Sequence, residues 1–131
     1  MNTETNKMIM RQVMEALDRG DWATIEQHPG LYETLEHFPQ LHAAFPDMHT
    51  DIEQEIVAGD LITTVVTVRA THEQSFLGIP ATGKQVSFMV IGLDRIEDGK
   101  IVEHWALPDF FSLLQQIGGV IVPGQHVMEW K

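Results

Sequence analysis

At Asp47 the hydrophobic pattern changes its period, and this change limits what the chain can become. Before it, apolar residues recur at helical steps. Ile9, Val13, Ala16 and Leu17 form one face of a segment from Thr5 to Arg19, widened by Met10 and Met14. Gly20 stops that helix, and Asp21 caps a short turn carrying Trp22 and Ile25. His28-Pro29-Gly30 breaks the chain. Leu31, Leu35, Phe38, Leu41, His42 and Phe45 then make a second helical stripe, in which Pro39 is expected to make a kink or start a fresh turn.

After Asp47 the period is two. Met48, Thr50, Ile52, Gln54 and Ile56 alternate with His49, Asp51, Glu53 and Glu55, so this strand should have one wet face. Leu61 to His72 is a β-branched run and a second strand. A loop from Phe76 to Lys84 leads to a third strand, Gln85 to Glu97. Asp98-Gly99 is a two-residue hairpin signal, and Lys100 to Leu107 is the fourth strand. Asp109 to Ile117 reads as a last helix, with Gly118-Gly119 as its stop. The tail from Val120 to Lys131 is expected to be a short strand or a packed extension. Helices followed by an antiparallel meander and a closing helix define an α+β fold. The whole chain, 1–131, reads as one domain: helices over about 5–45, sheet over 47–108, helix over 109–117 and tail over 118–131.

Composition narrows the functions. With 131 residues and 44% apolar content, the chain can bury a real core. It has no cysteine, which excludes disulfides and thiolate chemistry and makes a cytoplasmic location the default expectation. No apolar run is long enough for a membrane span. Net charge is −11, and residues 1–60 carry 12 acidic against 3 basic side chains. That balance argues against nucleic acid and anionic membranes as partners.

Several motifs are weighed and set aside. Gly78-Ile79-Pro80-Ala81-Thr82-Gly83-Lys84 matches most of a phosphate-binding loop, but Gln85 stands where a hydroxyl is needed and a strand follows. The seven histidines contain no compact metal-ligand pair, so neither a metal nor another cofactor is expected. Ser75, Ser87 and Ser112 lack a nucleophile-elbow context.

His72 shares strand parity with Ile62, Thr64, Val66, Val68 and Ala70. It therefore points where an apolar face points, either as a hydrogen-bonded core histidine or as a proton shuttle. Asp109 ends an apolar strand and shares parity with Trp105. It is either a general acid/base in an apolar pocket or the N-cap of the following helix. On the same parity argument, His104 is expected outside that pocket unless a bulge intervenes.

Specific segments then carry a resemblance. Ala44-Phe45-Pro46-Asp47-Met48, Gly59-Asp60, Thr71-His72, the loop Phe76 to Lys84, Arg95 to Trp105, Asp109 and Leu114-Gln115-Gln116-Ile117-Gly118 together resemble the SnoaL-like polyketide cyclase family. The resemblance implies a fold like nuclear transport factor two and cystatin: a curved antiparallel sheet forming a cone with the helices around an apolar pocket. It implies intramolecular aldol chemistry without metal or cofactor, and a homodimer through the outer face of the sheet. It places Asp109, in an E-H-W-x-x-x-D pattern, as the acid/base. Between Trp22 and Phe45 the chain is shorter than the family pattern, which trims the mouth of the pocket.

Two readings follow. The first is a cyclase or isomerase acting on a small apolar or polyketide-like molecule with an enolisable carbonyl. Asp109 and His72 would be catalytic, and Trp105, Met89, Ile91 and Tyr32 would bind substrate. The second is a non-catalytic dimeric module that binds a small apolar ligand. An epoxide hydrolase is weaker, because parity does not assemble two carboxylates around Arg69 or Arg95.

Overall fold

The structure is a computed structural model and describes residues 3–119. The expectation for the tail from Val120 to Lys131 lies outside these residues. The chain runs α1 (Thr3–Arg19), α2 (Trp22–Glu26), a 3-10 turn (Pro29–Leu31), α3 (Tyr32–Ala44), β1 (His49–Ala58), β2 (Leu61–Thr71), β3 (Gln85–Glu97), β4 (Lys100–Pro108) and α4 (Phe110–Gln116). The four strands form one antiparallel sheet in sequence order. This is the α+β architecture of the nuclear-transport-factor-two-like fold. No helix among the described residues is long and apolar enough to cross a membrane.

Local chemistry explains the boundaries. Asp21 caps α2 by accepting the Thr24 amide at 3.3 Å and the Thr24 hydroxyl at 2.7 Å. Asp98 and Gly99 both have positive φ, 50° and 77°, as the primed hairpin turn between β3 and β4 requires. Helix α3 continues through Pro39, which starts no separate helix. A proline costs the helix one amide bond, and burial of Leu41 and Ala44 holds the last turn in place.

The inner face of the sheet is set by β2, where Ile62, Thr64, Val66, Val68 and Ala70 are buried in strict alternation. Two apolar clusters cover it. One joins Phe45, Val66, Phe88 and Leu113 near α3 and α4. The other joins Met10, Val13, Ile25, Leu31, Ile96 and Ile101 under α1 and the 3-10 turn. Burying each large side chain contributes about 1.5–3 kcal/mol.

Two bulges change which side chains face inward. In β1 the register slips between Ile52 and Gln54. Ile52 pairs with inward Val66, but Gln54 pairs with outward Val65 and Glu55 with inward Thr64. Ile56 is therefore turned out and exposed, and the plain alternation expected for this strand ends at Glu53. In β4 the register slips at Val102, with Ile101 opposite Ile96 but Glu103 opposite Arg95. Beyond that point His104, Ala106 and Pro108 lie opposite inward Asp94, Gly92 and Val90, while Trp105 and Leu107 lie opposite outward Leu93 and Ile91.

The 3-10 turn closes the free edge of β4. A methyl on Gly30 would lie 2.6 Å from the Val102 carbonyl carbon, so only glycine lets the two backbones meet. One residue before the slip, the Ile101 amide donates to Nδ1 of His28 at 3.0 Å. At the other end of the sheet, the Gln116 side chain bonds the Ser87 amide at 2.9 Å and the Ser87 carbonyl at 2.7 Å, and so satisfies β3 where β4 does not reach.

Candidate functional site

Between the two apolar clusters the inner face carries a polar band. Across the sheet one row reads Glu55, Thr64, Gly92 and Ala106, and the next reads Val57, Ile62, Asp94 and His104. Asp94 is 1% exposed. Its Oδ1 accepts from Nδ1 of His104 at 2.6 Å, a charge-assisted length. Its Oδ2 is buried and has no hydrogen-bond partner. An unpaired buried acceptor costs about 1–3 kcal/mol, so a site that keeps one needs a reason. Glu55 is similar: Oε1 meets Arg11 at 3.0 Å, and Oε2 is buried without a partner.

His28 stands beside this band. Its Nδ1 accepts the Ile101 amide, which leaves the proton on Nε2. Burial pushes the His28 imidazole below its ordinary value. Nearby Lys100 pushes the same way, and Asp94 opposes both.

The structure does not bring the sequence-derived candidates together. Asp109 is exposed and caps α4, its Oδ1 accepting the Ser112 amide at 3.0 Å while its own amide donates to the Met89 carbonyl. Trp105 is 53% exposed and Leu107 74%. Met89 and Ile91 are exposed with them on the outer face. The expectation that Trp105, Met89 and Ile91 wall an enclosed pocket is corrected. β3 carries apolar residues on both parities, and pairing with β2 turns Val86, Phe88 and Val90 inward. Tyr32 stands exposed in the first turn of α3.

His72 continues the inward parity of β2, as expected, and is fully buried. It stacks on Phe45 at 5.3 Å, and its Nδ1 lies 3.0 Å from the Thr82 hydroxyl and accepts the Thr82 amide at 3.3 Å. Its Nε2 has no partner. His72 is buried in the core, whereas Asp109 is exposed at the start of α4.

Parity missed two groupings. The bulge at Val102 puts His104 inside, a possibility raised by the reading of β4 but with nothing in the sequence to locate it. Asp60 and Glu103 bracket Arg95, with Nη1 to Asp60 at 2.7 Å and Nε to Glu103 at 3.1 Å. That trio combines a turn residue with the outer face and is solvent-exposed, so it serves as a surface tie and not as an enclosed hydrolytic site. A separate shallow cleft of about 430 Å³ is bordered by Asp47, His49, Arg69, Gln85, Ser87 and Gln116, and none of the candidates lines it. Among the described residues no group of histidine and acid side chains could hold a metal ion. The 78–84 segment turns tightly at Leu77-Gly78 and enters β3, consistent with its rejection as a phosphate loop.

Known proteins share this frame. The chain is 26% identical to DnrD, an aklanonic acid methyl ester cyclase of Streptomyces peucetius, over 84% of this chain and 88% of that protein. It is also similar in structure to AclR of Streptomyces galilaeus, a proposed hydroxylase, with a TM-score of 0.83 and 25% identity over 92% of this chain and all of that one. IdmH of Streptomyces antibioticus, a proposed polyketide cyclase, gives 0.73 and 26% over 86% of this chain and 98% of that one. Residues 7–117 match the family model described as SnoaL-like polyketide cyclase, and the chain belongs to that family.

Proposed function

We propose that the chain is a cofactor-independent cyclase or isomerase acting on a small, largely apolar, polyketide-like molecule with an enolisable carbonyl. The observation that carries this reading is the polar band set between apolar clusters on the inner face, in a chain that matches the cyclase family along most of its length. An apolar cleft with a few convergent polar groups is the usual form of a small-molecule site. The chemistry requires only proton removal next to a carbonyl and return of a proton to oxygen.

The resemblance supports Asp109 as the acid/base, and strand parity offers His72 as a polar partner. The exposure of Asp109 and its bond to Ser112 support a cap instead. That capping geometry also favours a second reading, a non-catalytic module for a small apolar ligand. The exposed outer face, with Met89, Ile91, Trp105 and Leu107 side by side, supports pairing of two copies through the sheet.

The test is a panel of aldol and enolisable ketone substrates with wild type and Asp109→Asn, which keeps a capping side chain but removes the charge. Turnover by wild type supports the enzyme reading, and its absence with measurable binding favours the second. A loss of about 100-fold on Asp109→Asn assigns the acid/base to Asp109, and equal rates leave it as the cap.

A further inference from the structure

We infer that His104, held by Asp94, is the general base of the inner face, and that it acts on an activated C–H next to a carbonyl. This inference rests on the enzyme reading above but moves the chemistry to residues to which the resemblance gives no role.

The geometry is that of a positioned imidazole. An ionised carboxylate can only accept, so a contact of 2.6 Å between Nδ1 and Asp94 puts the proton of a neutral His104 on Nδ1 and the lone pair on Nε2. His104 is a quarter exposed, so that nitrogen is reachable, while its partner is sealed. Asp94 is thus a positioning residue, and His104 is the catalytic one.

The residues beside the dyad are small, and the face is open to solvent at β4. Gly92 and Ala106 face each other beside the dyad and carry the least bulk on this face. Ala106 is exposed although it lies on the inner side, so the face opens to solvent at β4. A side chain on Gly92 would lie 3.3 Å from the Thr64 hydroxyl and 3.7 Å from Oδ2 of Asp94. The unpartnered Oδ2 therefore lies next to the Gly92 backbone. A purely structural hydrogen-bonded pair gains nothing from leaving one oxygen unsatisfied.

The step balances without a co-reactant. Nε2 takes the proton as the C–H bond breaks, and the electron pair passes into the enolate. The enolate carbon forms a C–C bond to a second carbonyl carbon of the same molecule. The alkoxide produced then takes the proton back from Nε2, which leaves an isomer of the substrate and neutral His104.

The probe is 5-nitrobenzisoxazole, whose ring opens when a base removes its C–H proton and so reports proton abstraction without knowledge of the substrate. Wild type should accelerate opening over buffer. His104→Gln should lower the rate about 100-fold, and Asp94→Asn at least about tenfold. In parallel, ¹⁵N NMR of the imidazole should show the proton on Nδ1 in wild type and its loss from that site in Asp94→Asn, a change that altered packing alone would not produce. Should Asp94→Asn fail to fold, the wild-type tautomer and His104→Gln carry the test.

No acceleration by wild type, an unchanged rate in His104→Gln, or a proton on Nε2 in wild type would each overturn the inference. Elimination through His104 without cyclisation of any panel substrate keeps this inference and removes the cyclase reading. Cyclisation indifferent to His104→Gln does the reverse.

Discussion

Asp94 lies within β3 and Asp109 just past the end of β4, in opposite surroundings. Asp94 is sealed on the inner face, bonded to one imidazole, with one oxygen unused. Asp109 is exposed beyond the end of β4, with its side chain bonded to a helix amide. Between them β4 changes faces: one extra residue at Val102 turns His104 inward to Asp94 and leaves Trp105 and Leu107 outside. Chemistry in this fold depends on which face the strand offers, and a single-residue slip sets that.

Breaking the clamp on β4 should have the largest effect. Gly30→Val drives a side chain into the Val102 and Glu103 backbone and should destabilise by on the order of 3 kcal/mol, read by denaturant unfolding. Amides near His104 should be perturbed most, and α4 near Asp109 least. A stability within about 0.5 kcal/mol of wild type would mean the turn does not hold the bulge.

The cap gives a smaller effect. Asp109→Ala should cost about 1 kcal/mol of stability through loss of the Ser112 bond, while Asp109→Asn should cost only a few tenths. Equal losses for both would mean that charge, not capping geometry, is what Asp109 contributes to stability.

His28 connects the inner band to pH. Its folded value lies below its unfolded one, so the unfolded state binds the extra proton first. Its contribution is fully present above the ordinary imidazole value of about 6.5 and is lost as pH falls from there through the lower folded value. Unfolding free energy should therefore drop between pH 7 and 5, and His28→Gln should flatten that part of the curve. An unchanged slope would remove His28 as the titrating group.

The smallest effect on folding belongs to the outer face. Trp105→Arg should change monomer stability by no more than about 0.5 kcal/mol. On the proposed pairing through the sheet, sedimentation should show wild type as a dimer and this variant as a monomer. A stable dimer in this variant would place any pairing elsewhere than around Trp105.

Much of the frame could be read from residues. The change of period at Asp47, the Asp98-Gly99 turn and the β-branched run of β2 each report a local preference that the fold keeps. His72 was correctly aimed inward because β2 has no bulge. β1 and β4 each contain one, and neither Glu53 nor Val102 is a residue type that announces it. Parity carried past those points therefore put Ile56 and Trp105 on the wrong face. β3 misled for another reason: Met89 and Ile91 are as apolar as Phe88 and Val90, so pattern alone could not choose between its faces. The Asp94–His104 pair joins positions on separate strands whose alignment exists only through that slip.

The most direct test of this division is to titrate an aromatic 1,3-diketone such as dibenzoylmethane into the protein and follow backbone amides by NMR. The account predicts that shifts gather at Gly92, Asp94, His104 and Ala106 and are lost in His104→Gln. Shifts gathered instead at Met89, Ile91, Trp105 and Leu107 would put the small-molecule site on the outer face and contradict it.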